Sequence, residues 1–93
     1  MMVHILVRHK VKDYAKWKDA FDGHASMRRM AGSKGGRLFR DEKDPNNVAV
    51  LLEWEDIAKA RIFFDSGDLH SIMEQAGVID VPQVFFEVNK VDA

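Results

Sequence analysis

His24 stands in the run "WKDAFDGHASMRRMAG", Trp17 to Gly32, with Trp17 seven residues before it and Arg28 four after. On a helix advancing about 100° per residue, the apolar arc orders as Met27, Ala20, Ala31, His24, Trp17, Arg28, Phe21 and Tyr14. Lys16, Lys18, Asp19, Asp22 and Arg29 occupy the rest of the wheel. An imidazole and a guanidinium on a core-facing stripe cost free energy until something accepts their protons. Two readings follow. In one, His24 bonds a backbone carbonyl or Glu53 and fastens helix to sheet, while Arg28 snorkels past the helix end, where a cation suits the dipole. In the other, a pocket lies between helix and sheet. There His24, with an unperturbed pKa of about 6.5, acts as general base or hydrogen-bond donor. Arg28 holds an oxyanion or enolate. Tyr14, Trp17, Phe21 and Trp54 stack on a flat ring, and Glu53 completes the substrate-binding set.

The remaining chemistry-bearing residues point less sharply. His4 and His9 have opposite strand parity and cannot share one site, so both read as surface or edge histidines. "GSKGGR" offers glycines and a cation, but it leads from helix into strand, the reverse of a phosphate loop. No paired ligand spacing marks a metal site, and no motif calls for a cofactor. The absence of cysteine removes disulfides, thiolate nucleophiles and zinc–thiolate or iron–sulfur centres. A formal net charge of −1 without a basic run argues against nucleic acid as a partner. No stretch approaches the ~20 apolar residues of a membrane span, and "MMVHILVRHK" is no signal peptide, so a cytoplasmic protein is expected.

The elements that must position these residues come next. Ninety-three residues make one domain, 1–93, that buries only ~60–65% of its unfolded surface. "VHILVRH", Val3 to His9, alternates as a strand. Asp13 caps a helix from about Tyr14 to Ala31, stopped by Gly32. "GSKGG" reads as a flexible connection, "RLFRD" (Arg37 to Asp41) as a strand, "EKDPNN" as a turn, and "NVAVLLEW" (Asn47 to Trp54) as its hairpin partner. Asp56 caps a helix from Ile57 to about Ser66. Gly67 breaks it, Asp68 opens a shorter one, and Gly77 closes that. The last strand is "VFFEV", Val84 to Val88. The order β-α-β-β-α-β predicts an α+β, ferredoxin-like fold with a four-stranded antiparallel sheet and helices on one face.

That sheet has an apolar surplus. Val3, Ile5, Val7, Val48, Val50, Leu52 and Trp54 fall on the face beneath the helices. Leu6, Phe39, Ala49, Leu51 and Phe85 fall on the other, among Arg8, Arg37, Glu53 and Glu87. An antiparallel sheet with one wet face should alternate more cleanly. A patch of this kind marks an association surface, and a homodimer through the sheet face is the expected occupant.

Three runs carry a likeness to a known family: "WKDAFDGHASMRRMAG", "GGRLFRDEKDPNNVAVLLEWED" and "SGDLHSIMEQAGV". Together they make Val3 to Val88 resemble the antibiotic-biosynthesis-monooxygenase-like proteins of the dimeric α/β-barrel superfamily, whose small members often carry names such as "cyclase". The resemblance implies two sheets closing a barrel across a two-fold axis, with a pocket in each subunit between sheet and helices. It implies a cofactor-independent monooxygenase or cyclase-like protein acting on a small aromatic or polyketide-type molecule, deprotonating a phenol whose carbanion reacts with oxygen unaided. The same scaffold hosts non-catalytic small-molecule binders and stress-response proteins, the alternative reading. A third reading is a haem binder or haem-degrading protein using His70 or His24. Against it, His70 lies about 100° off the inward stripe of Leu69, Ile72, Met73 and Ala76, toward the rim, and Met73 takes the position matched to the haem ligand.

Overall fold

The computed structural model describes residues 2–88. Its elements are β1 (Val3–Lys10), α1 (Tyr14–Gly23), α2 (Ala25–Ala31), β2 (Ser33–Arg40), β3 (Asn47–Trp54), α3 (Ile57–Phe64), α4 (Gly67–Gln75) and β4 (Gln83–Phe85). The strands form one antiparallel sheet in the order β2-β3-β1-β4. The fold is therefore the expected α+β, ferredoxin-like one. β1 pairs with β3 over its whole length, with Val7 opposite Val50 and Leu6 opposite Leu51. That register sends Ile5, Val7, Val48, Val50, Leu52 and Trp54 to one face, where all are buried with Trp17, Ala60, Phe64 and Leu69. Asp13 and Asp56 cap α1 and α3 through their carboxylates, accepting from the Lys16 and Lys59 amides. Gly32 ends α2 at φ +117, a left-handed geometry that glycine alone adopts without penalty.

Four expectations are corrected. The single helix from Tyr14 to Ala31 is two, broken at His24 (φ −99, ψ 11). The His24 amide is shared there between the Ala20 and Phe21 carbonyls, at 3.2 and 3.3 Å. "GSKGG" is no flexible connection: β2 begins at Ser33, with a bulge between Ser33 and Gly35, whose φ is +116. Gly36 sits so close to β3 that a Cβ there would collide with the Leu51 carbonyl oxygen. Gly36 is thus required by the close approach of two strands, and Gly35 by the left-handed turn of the bulge. The helix expected to open at Asp68 begins one residue earlier, at Gly67, because Ser66 caps it, accepting from the Leu69 amide at 3.0 Å. The last strand ends at Phe85 rather than Val88, as the chain turns through Glu87 at φ +57, although the Val88 amide still reaches the His4 carbonyl at 2.8 Å.

Candidate active site between sheet and helices

The break between α1 and α2 leaves the Ala20 and Phe21 carbonyls sharing one backbone donor, the His24 amide. Two side chains take them. His24 Nδ1 bonds the Ala20 carbonyl at 2.7 Å, and the Arg28 guanidinium donates to the Phe21 carbonyl at 2.7 Å. Because a carbonyl only accepts, His24 Nδ1 carries the proton and Nε2 keeps a lone pair. Arg28 also lies over the Phe21 ring, 3.8 Å from its centroid. Burial lowers the Arg28 pKa from its ordinary value, with Asp22 opposing and Arg29 adding. The group stays charged, so it is a cation partly stripped of water.

These residues line a cavity of about 70 Å³ between the sheet and all four helices. Val7, Val50 and Leu52 form its floor, Trp17, Phe21, Met27, His24 and Arg28 one wall, and Phe63, Phe64, Leu69, Ile72 and Met73 the other. Trp17 stacks on Phe21, centroids 5.0 Å apart. Wider clefts share these walls. One of about 240 Å³ adjoins through Phe64, Leu69 and Met73, and another of about 300 Å³ through Met27, Phe63 and Leu69.

The residues singled out by spacing divide here. Trp17, Phe21, His24 and Arg28 meet at the cavity. Tyr14 does not line it: its ring packs 5.9 Å from Trp17 and carries the Arg40 guanidinium at 3.5 Å. Trp54 is fully buried under Phe63 and Phe64 and donates its indole N–H to the Ala31 carbonyl at 3.0 Å. Glu53 is on the opposite face of the sheet, exposed, 3.8 Å from His4. Strand parity alone separates it from Leu52 and Trp54. His70 is exposed on the rim, as its angular position predicted, whereas Met73 reaches the cavity. Among the described residues no group of three His, Asp or Glu is placed to hold a metal ion.

One residue was misread. His9, expected at the surface or an edge, is 3% exposed and lines the cavity. Its ring meets Trp17 edge-on at 5.4 Å, and neither ring nitrogen has a hydrogen-bond partner among the described residues. Burial lowers its pKa from 6.5, with Asp80 opposing and Arg8 adding. The signal was available: Val3, Ile5, Val7, His9 and Val11 share one parity, and the run of inward residues continues through His9 to buried Val11.

The sequence matches no protein-family model and no curated protein. Solved structures share its fold over nearly the whole chain. A Bordetella bronchiseptica protein, provisionally named an antibiotic biosynthesis monooxygenase, superposes with a TM-score of 0.80 at 19% identity, covering 97% of this chain and 98% of that one. SnoaB, a cofactor-independent oxygenase from Streptomyces nogalater, superposes at 0.71 with 16% identity, covering 99% and 98%. Rv0793 from Mycobacterium tuberculosis does so at 0.68 with 10% identity, covering 100% and 98%. At these identities the likeness establishes the fold, which is that of the antibiotic biosynthesis monooxygenases. No helix among the described residues is long and apolar enough to cross a membrane.

Proposed function

We propose that the chain is a cofactor-independent monooxygenase for a small phenolic aromatic or polyketide-type molecule held in the cavity beneath α1 and α2. The observation that carries this reading is His24: Nδ1 is fixed on the Ala20 carbonyl, Nε2 is left to accept a proton, and aromatic rings and a partly desolvated Arg28 surround it. His24 takes the phenolic proton, and Arg28 holds the oxyanion that forms. The electron-rich carbon conjugated with it reacts with dioxygen. A methylene and one O2 become a carbonyl and one water, so the substrate supplies every electron.

A cavity of about 70 Å³ is roughly half the ~150 Å³ known to accept benzene. Entry of a ring therefore turns Met27 and Met73 aside, joining the cavity to the clefts behind them; unbranched methionine does this at low cost. The open sheet face also supports a homodimer. Leu6 and Leu51 lie beside Phe39 and Phe85, which are 51% and 54% exposed. Two copies packing these faces together would bury side chains worth ~1.5–3 kcal/mol each before association costs.

Oxygen uptake with a hydroxyanthrone tests the reading. His24→Ala should lower the rate ~10²–10⁴-fold while circular dichroism shows the fold retained. Uptake that survives the substitution overturns it. A ligand that raises the melting temperature of the native chain without uptake makes the protein a binder instead.

A further inference from the structure

We propose that His9 is a ligand-reading residue: from the sheet floor its imidazole hydrogen-bonds a neutral hydroxyl carried by an otherwise apolar aromatic ligand. This deepens the function above and rests on it for the cavity being a ligand site.

The argument starts from what each polar group already does. His24 and Arg28 both have work inside the fold, on the Ala20 and Phe21 carbonyls at the helix break. His9 has none. It is buried opposite Val48 and against Trp17, with both nitrogens idle among the described residues. Buried polar groups without partners are destabilising and rare, and a leucine at this position would pack without that penalty. The fold alone gives no reason for an imidazole here; a ligand does.

The form of the imidazole narrows the ligand. Burial lowers its pKa, so it is neutral near pH 7. A neutral imidazole presents one N–H and one lone pair. A hydroxyl, which both donates and accepts, can use either. An anion would meet a single neutral donor at His9 but a full charge at Arg28. The ligand's neutral hydroxyl therefore belongs at the His9 end and its ionising group at the His24–Arg28 end.

Phenol and toluene, alike in size and differing by one hydroxyl, serve as probes. Binding is followed by tryptophan fluorescence and by the imidazole ¹⁵N shifts. Phenol should bind the native chain roughly five- to tenfold more tightly than toluene and move the His9 ring resonances. His9→Leu should prefer toluene, because the phenol hydroxyl would be buried there without a partner, and, without ligand, should melt at a higher temperature than the native chain. His9→Gln, which keeps a donor and an acceptor, should restore part of the preference. No preference in the native chain, unmoved His9 resonances, or an undiminished preference in His9→Leu overturns the proposal. Oxygen uptake from a hydroxyanthrone is scored separately. Phenol preference without uptake removes the oxygenase reading and leaves the role of His9 standing. Uptake with an unselective native cavity does the reverse.

Discussion

Val50 and Leu51 are consecutive residues of β3, similar in character and opposite in fate. Val50 is 3% exposed beneath the helices, whereas Leu51 is half-buried on a face that no element among the described residues covers. The two faces are built from the same three long strands, and the open one is the more polar, setting Leu6, Phe39, Ala49 and Leu51 among Arg8, Arg37 and Glu53. They differ also in what lies over them. On the covered face the only deeply buried ionisable side chain among the described residues is His9, and it lines the cavity. On the open face Arg8 is fully engaged, reaching Gln83, Asn47 and Asp80 at 2.8, 2.7 and 3.0 Å. A polar group that is satisfied explains itself structurally. One that is buried and idle asks for a ligand.

The sharpest way to break this comparison is to place the same charge on both faces. Val50→Glu puts an unpaired carboxylate in the core and should destabilise the chain by about 4 kcal/mol or more, seen as a collapsed urea midpoint. Leu51→Glu, one residue along, should change the stability of the single chain by no more than about 1 kcal/mol. In sedimentation it should weaken self-association about a hundredfold, or ~2.7 kcal/mol, through like charges meeting across the two-fold axis. A Leu51→Glu protein that sediments as the native one does removes the proposed dimer through the sheet face. The smallest effect concerns acid. The unfolded chain protonates His9 near pH 6.5, the folded chain only at lower pH. Its contribution is thus fully present above about pH 6.5 and is lost as pH falls below that value. Asp80 does not blur this window. Burial raises its pKa, but the Lys10 amide and Arg8 outweigh burial and hold it below 3.8. Urea midpoints at pH 7.5 and 5.5 should differ less in His9→Leu than in the native chain.

The architecture was legible because it rests on period and punctuation. Alternation in Val3 to Val7 and Val48 to Trp54, and carboxylate caps at Asp13 and Asp56, are local signals, and they held. The meeting of Trp17, Phe21, His24 and Arg28 followed from helical spacing, which survives a modest break. What failed depends on distant chain. Ser33 to Gly36 look like a linker until β3 is laid beside them. Whether Tyr14 meets the cavity or Arg40 depends on a side chain twenty-six residues away, and no window contains both. Glu53 was readable, since its parity opposes Trp54. His9 looks like an edge residue when set beside His4, but its shared parity with buried Val7 and Val11 marks it as inward.

The helix break has a mechanical corollary. At the far end of α1, Tyr14 is clamped by Arg40; at the far end of α2, the Ala31 carbonyl is tied to the Trp54 indole and Gly32 is seated against that ring. Two stiff rafters pinned at their feet can rise only at the ridge, which is Gly23–His24. A guest that swelled the space below would press on that ridge, where His24 and Arg28 bond the Ala20 and Phe21 carbonyls. The bulk of the guest would thereby be felt by the same side chains that meet its charge.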